Sequence, residues 1–195
     1  DLFAGIGGTR IGCEQATEEL GLLSECVFTS ELDDACRETY QNNFENSKIN
    51  NDITKITNLS DKNIRNQIPA HNILLAGFPC QAFSHAGHKK GFNDTRGTLF
   101  FDILKVLEVK KPDMFLLENV GHLRGHDNGK TLKIMLKNLR SLGYNTPEPK
   151  ILNAKDFGLP QNRRRIFIVG FKRKRINFNY PQESEIQTKV GDILD

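Results

Sequence analysis

The sequence of 195 residues lacks the features that mark several classes of protein. No run of apolar residues approaches the roughly 18 that a membrane-spanning helix needs, so no membrane partner is expected. Its four cysteines, at positions 13, 26, 36 and 80, show neither CxxC spacing nor a metal-like pairing with histidine. Thiols of this kind fit a reducing cytoplasm. No internal repeat or low-complexity segment interrupts the chain, which favours a single domain.

A strong charge of one sign is also lacking, since the net charge is only +3. That bias alone does not indicate a nucleic-acid partner. Basic residues are nevertheless concentrated near the C-terminal end, at Arg163–Arg165 and at Lys172–Arg175. Such clusters either hold a polyanion or form a solvated surface, and composition does not decide between these two interpretations.

Short apolar runs alternate with amphipathic stretches, which predicts an α/β fold with a Rossmann-like, doubly wound and mostly parallel sheet. The first residues, Asp1 to Phe3, read as the end of a strand already under way, so the chain is expected to be a piece of a longer protein. The predicted helices are 9–20, 33–44, 98–109 and 130–142. The predicted strands include 22–29, 114–117 and 166–170, together with the apolar run that ends near residue 78.

A glycine-rich turn follows the first strand and precedes the first helix, as in nucleotide-binding sites. Glycines let the backbone approach a ligand closely, and the start of a helix offers N–H groups. Arg10 stands where a dinucleotide fingerprint has its third glycine, which disfavours a nicotinamide cofactor; a purely structural turn stays open. Glu31 ends the second strand, where such sites hold ribose hydroxyls. Asp52 is either a further ligand contact or a turn former.

Ionisable or nucleophilic residues end three other apolar runs. Cys80 follows Pro79 after a buried strand, so its thiol is either presented from a stiff turn or packed as a small apolar residue. Glu118 follows Met114–Leu117, a position that suits proton donation or the capping of a turn. Arg163 and Arg165 are expected to share one face of the last strand, with Arg164 on the other.

The blocks Asp1–Gly8, Gly77–Ser84, Arg96–Leu99, Glu118–Val120 and Gln161–Gly170 resemble the cytosine-C5 DNA methyltransferases. They occur in the family's order across essentially the whole chain. The resemblance implies transfer of a methyl group from S-adenosyl-L-methionine to carbon 5 of a flipped-out cytosine in double-stranded DNA, with S-adenosyl-L-homocysteine as product. It further implies a bacterial, cytoplasmic enzyme that is monomeric when complete, with a cognate restriction endonuclease as the partner in its restriction-modification system.

The resemblance also implies roles for individual residues. Cys80 matches the nucleophile, Glu118 the acid that engages the ring's N3, and Arg163 with Arg165 the arginines that hold the site and the base. In the cofactor pocket, Phe3 is expected against the adenine, Glu31 on the ribose, and Asp52 with Ile53 at the adenine. The full set of expected cofactor-binding residues is Phe3, Ala4, Gly5, Ile6, Gly7, Gly8, Glu31, Leu32, Asp52, Ile53, Phe78, Pro79 and Leu99.

The expected division of the chain is a catalytic domain over 1–185, with a cofactor half at about 1–78 and a catalytic half at about 79–185. Residues 186–195 are expected to begin a linker to a target-recognition region, after which the family pattern has a closing segment. The alternative is an inactive, truncated fragment that retains only cofactor or DNA binding. A third hypothesis, a nicotinamide-dependent oxidoreductase, is disfavoured because it does not explain the residues around Cys80.

Overall fold

The computed structural model describes residues 1–79, 99–173, 175–184 and 188–192. Cys80, and the polar segment predicted to follow it, lie outside the described residues. The α-helices of the described part are α1 (Gly8–Glu19), α2 (Asp34–Asn43), α3 (Thr54–Thr57), α4 (Asp61–Gln67), α5 (Leu99–Lys110) and α6 (Lys130–Ser141), and short 3-10 helices lie at Gly121–Arg124, His126–Gly129, Ala154–Phe157 and Val190–Asp192. Its strands are β1 (Thr29–Ser30), β2 (Ile49–Asn50), β3 (Ile73–Gly77), β4 (Met114–Val120), β5 (Lys150–Asn153) and β6 (Arg164–Phe171).

These strands form one sheet, in which β6 runs against the others. β1 pairs in parallel with β2, and β3 pairs in parallel with β4. Leu2 forms parallel bridges to both Ser30 and Ala76, so the N-terminal residues join the two parts of the sheet. β6 lies antiparallel between β4 and β5. The order is therefore β2, β1, the Leu2 segment, β3, β4, β6 and β5, which confirms the predicted α/β fold with a mostly parallel sheet.

The two longest apolar helices pack into the core through residues spaced by three and four positions. α6 buries Leu132, Met135, Leu136 and Leu139, which lie on one face of the helix. α5 does the same with a set that includes the fully buried Ile103. Each such side chain stabilises the fold by about 1.5–3 kcal/mol, so these helices hold the central strands β3 and β4 in place.

The N-terminal part of the chain packs differently from the prediction. The strand predicted over 22–29 is wrong in extent, because only Thr29 and Ser30 pair in the sheet. Of the apolar residues before them, Phe28 is buried in the core, whereas Leu22 and Val27 are exposed and Leu23 is fully exposed. The physical reason is that a parallel strand needs a partner, and β2 offers only two residues to pair with. α1 likewise buries none of its residues.

Candidate functional site

The carboxyl ends of the parallel strands place the glycine-rich turn at one edge of the sheet. Backbone hydrogen bonds from Leu2 to Leu75 and from Gly77 to Leu2 set the Leu2 segment beside β3, and Ala4 donates to Ser30 on the other side. The chain then leaves the sheet with left-handed backbone at Phe3 (φ +56°), Gly5 (φ +55°) and Gly7 (φ +96°). For Phe3 this conformation costs of order 1–3 kcal/mol, the kind of strain that collects at binding sites.

Glu31 closes this turn from the end of β1. Its Oε2 accepts the Gly5 N–H at 2.8 Å, and its Oε1 accepts the Asp33 N–H at 2.8 Å. Each carboxylate oxygen has a further lone pair, so Glu31 can accept hydroxyl donors while it holds the turn. Leu32, the next residue, is 66% exposed, and both residues therefore stand at the surface of the same edge.

Asp52 and Ile53 follow β2 on the neighbouring part of the edge. The Oδ1 atom of Asp52 accepts the Thr54 N–H at 3.0 Å and the Thr54 hydroxyl at 2.7 Å, so Asp52 shapes the start of α3. Ile53 is buried in the core. Burial raises the pKa of Asp102 on α5, and the negative charge of Asp52 adds to the rise. The turn-forming role of Asp52 thus has a structural basis, and its contact with a ligand stays a prediction.

Glu118 and Arg165 form an ion pair beside the end of β3. The Arg165 Nε lies 2.7 Å from the Glu118 Oε1, and the two side chains are 23% and 24% exposed. Glu118 is the register partner of Gly77, and a Cβ placed on Gly77 would lie 3.5 Å from the Glu118 Oε2. Because Gly77 has no side chain, there is room beside the Glu118 Oε2 atom. The other carboxylate oxygen of Glu118, Oε1, is paired with Arg165.

Asn119 ties β4 to the residue at which the chain leaves β3. Its Nδ2 donates to the Phe78 carbonyl at 2.8 Å, and its Oδ1 accepts the Val120 N–H at 2.8 Å. Both Asn119 and Phe78 are buried, with 2% and 3% exposure. Sequence reasoning quoted Asn119 within a motif and gave it no role. The available signal was an amide at a spacing of two from the apolar Phe115 and Leu117, and thus on the same face of the strand.

The three arginines at the start of β6 are not equivalent. Arg165 contacts Glu118, as described above. Arg164 is exposed and pairs in register with Asn153. Arg163 lies just before the strand with an exposed side chain, and its backbone N–H donates to the Asn153 Oδ1 at 2.9 Å. Among the described contacts, Arg165 is the arginine that pairs with Glu118. The role of Arg163 stays a prediction.

The remaining predicted residues lie around the same edge. Ala4 is buried under the turn and Ile6 is exposed on it, and Gly8 begins α1. Pro79 is exposed after the buried Phe78, and the partly exposed Leu99 begins α5. Cys80 is outside the described residues, so its role as the nucleophile also stays a prediction.

The described residues form neither a cluster of metal ligands nor a membrane-spanning helix. No group of three or more histidine, cysteine, aspartate or glutamate residues there is arranged to hold a metal ion. None of the helices found there combines the length and apolar character that crossing a membrane requires.

Comparisons with known proteins show which family this chain resembles. The family model for the C-5 cytosine-specific DNA methylase matches residues 1–195. The chain is 52% identical over 195 residues to the type II methyltransferase M.NlaX of Neisseria lactamica, covering 100% of this chain and 58% of that protein. It is 49% identical over 199 residues to the type II methyltransferase M.SsoII of Shigella sonnei, covering 100% of this chain and 49% of that protein.

Among solved structures, the Dnmt2 methyltransferase of S. pombe superposes with a TM-score of 0.67 at 26% identity, covering 100% of this chain and 57% of that one. The chain therefore spans about half the length of the relatives it matches. The match of the family model over every residue, together with the mostly parallel sheet and the charged edge, shows that this chain belongs to the C-5 cytosine-specific DNA methylase family.

Proposed function

We propose that this chain is the catalytic-domain portion of a DNA (cytosine-5-)-methyltransferase that acts on double-stranded DNA. Its cofactor would be S-adenosyl-L-methionine, with S-adenosyl-L-homocysteine as product. The family, and relatives named as type II methyltransferases, support a restriction-modification system with a cognate restriction endonuclease. We propose that the complete protein is a monomer.

The observation that carries this proposal is the Glu118–Arg165 ion pair next to Gly77. Arg165 occupies the Glu118 Oε1, which leaves Oε2 on the side of Gly77, where β3 ends. Cys80 follows Gly77 by three positions in the sequence. A carboxyl group held in place by a cation, beside the strand end that precedes a cysteine in the sequence, supports the proposed chemistry on cytosine.

The residues of the glycine-rich turn fit the proposed cofactor. S-adenosylmethionine carries a carboxylate, ribose hydroxyls and an adenine, and it supplies a methyl group on a sulfonium centre. The start of α1 at Gly7 has no side-chain cap, so its N–H groups suit the carboxylate. Glu31 has acceptor capacity for the hydroxyls. We propose that Phe3 and Asp52 contact the adenine and that Leu99 helps to complete the pocket.

The chemistry on the base follows from the residue types. Carbon 5 of cytosine is a weak nucleophile, and addition of a thiolate at carbon 6 places electron density on carbon 5. We assign the thiolate to Cys80. Glu118 would donate a proton or a hydrogen bond to N3, which offsets the negative charge that arrives with the attack, and Arg165, with Arg163, would supply positive charge. Once carbon 5 has taken up the methyl group that the cofactor would supply, a base would remove the carbon 5 proton, and the bond between carbon 6 and the Cys80 sulfur would break to release the thiolate.

The target base is inaccessible inside a duplex, so it has to be flipped into the pocket. We propose that residues 1–185 form the catalytic domain, with cofactor contacts mainly in about 1–78 and the base pocket mainly in about 79–185. Residues 186–195 would begin a linker to a target-recognition region.

The test is methyl transfer from S-adenosylmethionine to DNA by the complete protein, with the product nucleoside identified as 5-methylcytosine. Glu118→Gln should lower kcat by about 10²–10⁴-fold, the usual range for loss of a positioned acid. Glu108→Gln is the matched control, because Glu108 is 58% exposed on α5 and pairs with Lys105 at 3.7 Å. Equal activity of the Glu118→Gln and Glu108→Gln variants would contradict the assignment of Glu118 to the catalytic site. Binding of cofactor without any methylated product would favour a binding module.

A further inference from the structure

The glycine-rich turn is supported from α2 as well as from Glu31. The Asn43 side chain at the end of α2 donates from Nδ2 to the Ile6 carbonyl at 3.0 Å. Gly7 packs directly against Phe44, since a Cβ on Gly7 would lie 2.3 Å from the Phe44 Cε2. Gly7 is also in the left-handed region at φ +96°, so its position fixes where α1 begins.

Arg10 lies over the face of the same Phe44 ring. The Arg10 guanidinium carbon lies 3.9 Å from the centre of that ring, a cation–π contact. Its Nη1 donates to the Tyr40 hydroxyl at 3.0 Å and to the Ser47 Oγ at 2.6 Å. Its Nε donates to Glu14 at 2.6 Å, and the Arg10 side chain is only 15% exposed.

Phe44 therefore contacts both Arg10 and Gly7. The planar guanidinium can stack on the ring and donate in several directions at once, which a lysine ammonium cannot reproduce. Arg10 belongs to the first turn of α1, whereas Tyr40, Phe44 and Ser47 belong to α2 and the residues just after it. The arginine therefore joins the two elements that border the glycine-rich turn.

We propose that Arg10 is a positioning residue for the cofactor turn. It holds Phe44 against Gly7 and so fixes the backbone that receives S-adenosylmethionine, without itself contacting the cofactor. This rests on the proposed function of the turn. It also explains why arginine occupies the place of the third glycine of a dinucleotide fingerprint: the position serves packing between α1 and α2 in this chain.

The test uses steady-state methylation by the complete protein and its Arg10→Lys variant. Loss of the stacking and of the forked hydrogen bonds should raise the KM for S-adenosylmethionine by about tenfold. The KM for DNA, and kcat at saturating cofactor, should stay within twofold of the unmodified protein, because the base pocket is formed by β4 and β6.

Arg140→Lys is the matched control. Arg140 is a comparable fork on α6, with its Nε donating to the Thr146 Oγ1 at 2.7 Å and its Nη2 to the Thr146 carbonyl at 3.0 Å. This variant should leave the cofactor KM unchanged even if its melting temperature falls as much as that of Arg10→Lys. An equal rise in the cofactor KM for both variants would overturn the proposal.

Two further variants keep the test decisive if Arg10→Lys folds poorly. Ser47→Ala removes one Nη1 acceptor and should raise the cofactor KM by less than Arg10→Lys. In Phe44→Leu the ring is gone, so adding Arg10→Lys should have little further effect on cofactor KM. Independent, multiplicative effects would contradict the proposal. If the unmodified protein binds no S-adenosylmethionine, the proposed function fails and this inference fails with it.

Discussion

Replacing Asn119 with alanine should weaken the fold at the point where β3 leads toward the proposed nucleophile. The change removes the donor to the Phe78 carbonyl, a 2.8 Å hydrogen bond between residues that are 2% and 3% exposed. Water cannot easily replace it there. A buried carbonyl left without its partner costs about 1–3 kcal/mol, and the depth of this one places the loss at about 2–3 kcal/mol.

In a chain of 195 residues that loss lowers the melting temperature by about 4–12 °C, since each kcal/mol corresponds to about 2–4 °C at this size. Urea unfolding followed by circular dichroism gives the free energy of unfolding, and calorimetry gives the melting temperature. Asn138→Ala is the control, because the Asn138 amide also donates to a backbone carbonyl, that of Ile134 at 2.9 Å, but is only partly buried. Its cost should stay within about 0.5 kcal/mol.

The Asn119→Asp variant tests the same hydrogen bond to the Phe78 carbonyl in a second way. An ionised carboxylate would face the Phe78 carbonyl without a proton to donate, so it should destabilise more than alanine at neutral pH. Burial would raise the pKa of the introduced carboxyl, and its protonated form can donate. The deficit relative to the unmodified protein should therefore shrink as pH falls. Equal losses in Asn119→Ala and Asn138→Ala, or a deficit of Asn119→Asp that is independent of pH, would refute the reasoning.

Two other changes test the packing of the core. The Tyr144 hydroxyl donates to the Pro112 carbonyl at 2.9 Å, and burial raises the pKa of Tyr144 to about 12. The protonated Tyr144 hydroxyl therefore stabilises the fold fully below pH 10, and this contribution is lost as the pH rises toward 12. The free energy of unfolding should fall by up to about 2–3 kcal/mol less over this pH range in Tyr144→Phe than in the unmodified protein. Gly170→Ala would set a Cβ 2.2 Å from the Phe115 ring and should cost about 1–3 kcal/mol, whereas Gly125→Ala, with open space around it, should not.

Much of the fold could be predicted because helical periodicity is a local property. The helix predicted over 33–44 is observed as Asp34–Asn43, and that predicted over 130–142 as Lys130–Ser141. The direction of β6 could not be predicted, because the pattern of a single strand does not carry its orientation. The short β1 could not be predicted either, since its length depends on the two residues that β2 offers.

The candidate site shows the same division. The residue types at the strand ends indicated Glu118 and the arginines, but the contact between Glu118 and Arg165 depends on long-range register. Val120 pairs with Arg165 across β4 and β6, which makes Glu118 its diagonal neighbour on the same face. The strand begins at Arg164, so its pleat does not fix the side chain of Arg163. The contacts of Arg10 with α2 and the residues just after it join residues up to 37 positions apart, beyond the reach of a local pattern.

The most direct test of the central claim is covalent trapping of the complete protein on DNA that contains 5-fluorocytosine, in the presence of S-adenosylmethionine. Fluorine at carbon 5 cannot leave as a proton, so an adduct formed by attack at carbon 6 should persist and be visible as a protein–DNA species in a denaturing gel. We expect the adduct in the unmodified protein and in Cys36→Ser, a change on α2, and none in Cys80→Ser. An adduct that survives in Cys80→Ser would contradict the assignment of the nucleophile.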